Sequence, residues 1–164
     1  MSYSKNDLKK ILVKELPRLR RFAYSLTGNK SDADDLVQNL IVKMLNKGIP
    51  DSVEPVPWLL RVCKNMWLDE IRARDVRVRA VQENKIPQAK AETLEEVQEI
   101  AYSVDQILEV LQSLPEEQRA IISLVIVEGF SYNEAAEVLE IPKGTVMSRL
   151  SRARHKLLDL LEKG

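Results

Sequence analysis

Between Ala33 and Leu45 the apolar residues Ala33, Leu36, Val37, Leu40, Ile41, Met44 and Leu45 fall at i, i+3, i+4, i+7, i+8, i+11 and i+12. An α-helix gathers that period onto one face, and a strand scatters it over two. The same period runs through Leu8, Ile11, Leu12, Leu16, Leu19, Phe22, Ala23 and Leu26. Pro17 is expected to kink or split this first helix, and Gly28 to end it. Ser31, with Asp34 three residues on, reads as the N-cap of the second helix, which Gly48 closes. Gly48 to Pro57 contains three prolines and reads as a rigid loop. Pro57 suits the first position of a third helix, running from Trp58 to about Arg74.

Helical periodicity returns at Val104, Ile107, Leu108 and Leu111, and Leu114-Pro115 opens another helix with Ile121, Ile122, Leu124, Val125 and Ile126 as its buried part. Gly129-Phe130 breaks it. Ser131 with Glu134 then forms a capping box for a short helix through Leu139. After Ile141-Pro142 a last helix runs from about Lys143 to Leu161, so a turn of a few residues joins the two, as in a helix-turn-helix. Ala135, Ala136, Val138, Leu139, Ile141, Val146 and Leu150 are expected to face inward. Lys143, Met147, Ser148, Ser151, Arg152 and His155 share the outer face, flanked by Arg149 and Arg154, a surface suited to phosphates and major-groove base edges.

The expected fold is therefore all-α, with two small helical domains. Residues 1–75 form a three-helix domain and 104–164 a helix-turn-helix domain. The segment 76–103, rich in Glu, Gln and Lys, reads as a flexible acidic linker with partial helicity.

The chain carries 25 basic and 25 acidic residues, so its overall field does not grip nucleic acid. Charge is instead laid out basic, acidic, basic. Arg72, Arg74, Arg77 and Arg79 form one cluster, and Lys143, Arg149, Arg152, Arg154 and Lys156 the other, with Glu83 to Glu109 predominantly acidic between them. We expect these acids to cover one basic patch in the free chain. One cysteine, Cys63, and one histidine, His155, supply neither a zinc site nor a nucleophile pair. Cys63 reads as a small apolar filler. The glycines open no phosphate loop, and an enzyme is disfavoured. No apolar run approaches the roughly 20 residues of a membrane span, and the polar, charged start of the chain argues against a signal peptide. A cytoplasmic protein with no cofactor, no small-molecule substrate and no membrane insertion is the expectation.

Three strings in the C-terminal half resemble the fourth conserved region of extracytoplasmic-function sigma factors of bacterial RNA polymerase. They are Leu114-Pro115-Glu116-Glu117-Gln118-Arg119, Glu128-Gly129-Phe130-Ser131-Tyr132-Asn133-Glu134-Ala135-Ala136, and Pro142 through Arg154. Asp32-Ala33-Asp34-Asp35-Leu36-Val37-Gln38 and Pro57-Trp58-Leu59-Leu60-Arg61-Val62-Cys63-Lys64-Asn65 resemble the second conserved region. Asn39 stands where the family usually has Glu, Ile41 where it often has Phe, and Met147 where a basic residue is common.

The resemblance implies an alternative sigma factor directing promoter-specific initiation in a stress response, under the control of an anti-sigma factor. Asp32, Asp35, Leu36, Gln38 and Asn39 would then meet the β′ clamp helices of core RNA polymerase, with the β flap as a further contact. Trp58, Arg61, Asn65 and Arg72 would hold the opened minus-10 strand by stacking, amide hydrogen bonds and cations, although Trp58 reads equally well as core. Ser148 and Arg152 would read bases of the minus-35 element, with Lys143, Thr145, Arg149 and Arg154 on phosphates and Met147 and Ser151 on the same face. Two rivals remain. One is a stand-alone helix-turn-helix regulator on a symmetric operator, which leaves the N-terminal motifs unexplained. The other is a helical adaptor or sigma mimic, which leaves the basic outer face unexplained.

Overall fold

The computed structural model describes residues 3–81 and 110–163, and among them every regular element is helical. Helix α1 spans Lys5–Thr27, with the Ser4 side chain accepting from the Asp7 backbone N–H at 3.1 Å. It is neither split nor interrupted at Pro17. The hydrogen bond that proline removes would have reached the carbonyl of Val13, a residue on the exposed side of the helix, where a carbonyl without an N–H partner costs little. Gly28 adopts a left-handed conformation (φ 79°) and ends α1.

Helix α2 spans Lys30–Lys47. Its N-cap is Asn29, not Ser31: Asn29 Oδ1 accepts from the Asp32 N–H at 2.7 Å, and Asn29 Nδ2 donates to Asp32 Oδ2 at 2.8 Å. Ala33, Leu36, Val37, Leu40 and Met44 are buried as the period requires, while Leu45 at the edge of the stripe is exposed.

Helix α3 spans Pro55–Val81, longer at both ends than expected. Pro55 rather than Pro57 occupies its first position, which needs no N–H partner. The C-terminal extension has no buried stripe, since Val76 and Val78 are exposed. Its helicity comes from same-helix ion pairs: Arg72–Asp69 at 3.2 Å, Arg74–Glu70 at 2.8 Å and Arg79–Asp75 at 3.5 Å. The rest of the expected linker, and the apolar pattern at Val104, Ile107 and Leu108, lie outside the described residues.

Helix α4 is regular over Glu116–Ile121 and widens into a π-helix over Ile122–Val127. The Glu128 N–H reaches back five residues to the Ser123 carbonyl at 2.9 Å. The widened turn buries Ile121, Ile122, Ser123 and Leu124, whereas Ile126, expected in the core, is 41% exposed. Helix α5 (Tyr132–Leu139) carries the Ser131/Glu134 capping box, and helix α6 spans Lys143–Lys163.

Two apolar cores result. The smaller gathers Val110, Leu111, Leu114, Ile122, Ala153 and Leu157. The larger is built on α1, α2 and α3, and it continues into Ala120 and Leu124 of α4, Ala135 and Val138 of α5, and Val146 of α6. The two helical units are therefore packed against each other through shared apolar surface. Burial of a side chain such as Leu124 contributes about 1.5–3 kcal/mol.

Candidate nucleic-acid interface

Three surfaces carry the residues singled out from the sequence. On α6, Val146, Leu150, Ala153 and Leu157 point inward and fix the helix against its neighbours. The opposite side presents Lys143, Met147, Ser148, Ser151, Arg152, Arg154 and His155 to solvent, with Thr145 and Arg149 half-buried at its edge. Arg149 lies 3.8 Å from Glu117. Lys143, Arg152 and Arg154 make no ion pair among the described residues. A row of unpaired cations and small hydroxyls on one exposed helix face suits phosphate and base-edge contacts.

The second surface is a groove between α2 and α3, lined by Asp32, Asp35, Leu36, Asn39, Met66, Trp67, Asp69, Glu70 and Arg74. Asp35, Gln38 and Asn39 are exposed, and Leu36 is buried with only its edge at the groove. Asp32 is already engaged, since Arg74 donates to its two oxygens at 2.9 and 3.2 Å. Those bonds, with the one from Asn29, hold the Asp32 carboxyl below the usual carboxylate range. The Arg74 guanidinium also lies 5.1 Å from the Trp67 ring centre. The Trp67 indole nitrogen is buried and has no partner among the described residues.

The third surface is the outer side of α3. Trp58 and Arg61 are half-buried and Asn65 and Arg72 exposed, and all but Arg72 lie near α5. Trp58 and Arg61 share a cleft with Ser52, Val53 and Glu54 of the preceding loop, with Pro57 in the first turn of α3 and with Glu137 of α5. Trp58 both touches the core and lines this cleft, so its two readings are compatible. Cys63, two positions after Arg61, is wholly buried, and burial pushes its thiol up to about 12; it is filler, as expected.

Sequence reasoning missed the residues that join the two units. Glu128, its side chain 2% exposed, accepts from Arg18 Nε at 3.0 Å and from Arg21 Nε at 2.7 Å. The Glu128 bond holds the Arg21 guanidinium in its charged form all the more firmly, and Arg18 also lies 5.7 Å from the Phe130 ring centre. Arg119 donates to the Ser25 and Leu26 carbonyls at the end of α1, at 2.6 and 2.9 Å, and to its own Leu114 carbonyl at 2.8 Å. Burial lowers its pKa despite these bonds. Gln112 bonds to the Tyr24 hydroxyl. Lys64 Nζ donates to the Leu139 carbonyl at 3.1 Å and to Glu140 Oε1 at 3.0 Å. Only Lys64 had a signal in the sequence: Arg61, Lys64 and Asn65 stand at i, i+3 and i+4 and share one face. The others pair residues about a hundred positions apart, which no local period encodes.

A helix-turn-helix with an open cationic face, packed on a three-helix unit with an acidic groove, defines a two-part helical DNA-binding protein. Comparison with known proteins makes this specific. Residues 12–77 match the family model for Sigma-70 region 2, and residues 104–157 that for Sigma-70 region 4. The chain is 34% identical over 160 residues to the ECF RNA polymerase sigma factor EcfG of Rhodopseudomonas palustris, covering 95% of this chain and 86% of that one. It is 35% identical over 152 residues to the sigma factor SigE of Mycolicibacterium smegmatis, covering 89% and 58%. Among solved structures, the sigma factor RpoE of Bartonella quintana, in complex with the anti-sigma factor NepR, is 30% identical with a TM-score of 0.77, covering 95% of this chain and 97% of that one.

The chain belongs to the extracytoplasmic-function sigma factors. As such it binds core RNA polymerase and promoter DNA and directs transcription initiation. Among the described residues, no helix is long and apolar enough to cross a membrane.

Proposed function

We propose that this sigma factor reads the minus-35 element through α6, with Ser148 and Arg152 on bases and Lys143, Thr145, Arg149 and Arg154 on phosphates. Met147 and Ser151 complete that face. The observation that carries the assignment is the exposed face of α6, on which Lys143, Arg152 and Arg154 have no carboxylate partner among the described residues. The opened minus-10 strand lies along the loop before α3 and on Trp58, Arg61, Asn65 and Arg72, which supply a stacking ring, an amide and cations. The β′ clamp helices dock on Asp35, Gln38 and Asn39 beside Leu36. Asp32 contributes mainly by fixing Arg74 and the groove wall, since its oxygens are already bonded.

The divisions 1–75, 76–103 and 104–164 describe the two binding units and their connection. The chain acts without catalytic groups, in the cytoplasm, in a stress response. An anti-sigma factor holds it inactive, a reading supported by its likeness to a sigma factor solved with one.

The test is multi-round transcription from a promoter library with bacterial core polymerase, with and without this protein. Protein-dependent transcripts that share two spaced upstream elements are the expected result. Transcripts that depend instead on a single palindromic site would overturn the assignment of two separate readers.

A further inference from the structure

We propose that Glu137 of α5 and Glu140 at its C-terminal cap sit where phosphates of the opened minus-10 strand bind, so that the closed packing and strand binding exclude one another, and that Lys64 is itself a strand contact. The inference rests on the reading of α3 as the strand-binding surface. Arg61, Lys64 and Asn65 form one patch on α3, and α5 lies directly over it. The Lys64 ammonium makes two of its three possible bonds to that side, to Glu140 Oε1 at 3.0 Å and to the Leu139 carbonyl at 3.1 Å. Asn65 and Arg61 lie near the same Glu140 carboxylate and, after Lys64, help to hold it in its charged form. Glu137, one turn earlier on α5, faces Arg61 and Trp58 across the cleft. Two carboxylates and a carbonyl thus meet two cations and an amide. Those are the groups a single strand would offer and require: anionic oxygens for the cations, and acceptors for the amide.

The backbone supports the same assignment. Glu140 is the one non-glycine residue with positive φ among the described residues, at φ 57° and ψ 47°. A helix usually ends in that conformation with glycine or asparagine. Here the strained position holds an acid whose carboxylate is bonded to the facing helix. The acids expected to cover a basic patch were those of Glu83 to Glu109, which lie outside the described residues; the acids seen covering one belong to α5.

The contact also accounts for the burial of Lys64, which is 8% exposed. A lysine in the middle of an interface is stable only with its charge answered, and after separation of α5 that charge is free for a phosphate. Glu140 is half exposed on its side chain, so the ion pair alone does not hold the units together; the shared apolar core does, and core polymerase must part that core to release the strand surface.

The experiment uses the full chain and a fluorescein-labelled thymidine homopolymer as a single-stranded probe, with binding read by anisotropy. Glu137→Gln/Glu140→Gln keeps size and shape and removes both charges. It is expected to bind about tenfold more tightly than the unaltered chain, with a salt slope steeper by about 0.7 per cation released. Adding Lys64→Ala to that variant is expected to remove most of the gain. Identical titrations for the unaltered chain and the double variant overturn the inference. Permanganate probing of open complexes formed with core polymerase separates the two levels. If Arg61→Ala impairs strand opening while the glutamine variant gains nothing, the masking fails and the strand reading stands; if Arg61→Ala leaves opening intact, both fail.

Discussion

The outer faces of α6 and α3 are built from the same materials and are left in opposite states. Each lines up cations with small polar side chains along one side of a helix. On α6, Lys143, Arg152 and Arg154 have no carboxylate partner among the described residues. On α3, Lys64 is answered by Glu140, Arg72 by Asp69, and Arg74 by both Asp32 and Glu70. A net charge of zero is thus not spread evenly. It is cancelled locally over one reader and left uncancelled over the other. The proposed minus-35 face is available in the closed chain, whereas Lys64 and the Arg61 side of the proposed minus-10 face are covered until the units part.

The comparison breaks most visibly if the shared core is removed. Leu124 is wholly buried, belongs to α4, and packs into the core built by α1 to α3, yet it lies on neither reading face. Leu124→Ala is expected to lower the stability of the chain by about 2–5 kcal/mol, through lost transfer energy and the cavity left behind. Urea unfolding followed by circular dichroism measures it. A loss below about 1 kcal/mol would mean that α4 relaxes freely away from the first unit, and that the covering of α3 does not depend on a common core.

Arg152→Ala sharpens the comparison from the open side. Arg152 is exposed and unpaired, so its removal leaves folding stability within about 0.5 kcal/mol. Promoter discrimination at one minus-35 position is expected to fall by about 1–3 kcal/mol, the range for a bidentate arginine–guanine contact. Competitive transcription from promoters mutated at single positions reads this out. A uniform drop across all sequences would instead move Arg152 to the phosphates.

Much of this molecule is local and was legible as such. The stripe of α2, the capping box at Ser131 and the inward set Val146 and Leu150 are each fixed by residues within a turn or two of one another, where helical period and capping chemistry operate. Local logic also explains the errors. Asn29 outcompeted Ser31 as N-cap because the chain turns at Gly28, two residues earlier than the serine requires. α3 outran its apolar stripe because ion pairs sustain it, and a stripe is not the sole support of a helix. The π-helix of α4 was invisible because Ala120 to Val127 is apolar on nearly every side, so nothing in the pattern marks where the turn widens. The exposed cationic face of α6 could be read from that helix alone. Its counterpart on α3 could be named but not its cover, because Glu140 meets Lys64 only through tertiary packing.

The smallest effect expected is a pH dependence of that cover. Lys64 first, and then Asn65 and Arg61, hold the Glu140 carboxyl below its ordinary value near 4.5. A carboxylate depressed in this way stabilises the contact at all pH values above the ordinary one. The contribution is lost as pH falls from about 4.5 through the lowered value. Glu140 is half exposed on its side chain, so solvent screening keeps the effect small. Global acid unfolding does not isolate it, because Glu116 has the opposite sign: burial raises its pKa, and its protonation favours the folded chain. Trp58, which lines the cleft facing Glu137, gives a local readout once the other tryptophan is removed by Trp67→Phe. In that background the Trp58 emission is expected to shift to the red below about pH 4.5, ahead of any loss of helix signal. The shift should vanish in Glu137→Gln/Glu140→Gln, which has no carboxylate left to protonate at that contact. A Trp58 signal that moves only together with the helix signal would place the α3–α5 contact under the apolar core alone, with no electrostatic share.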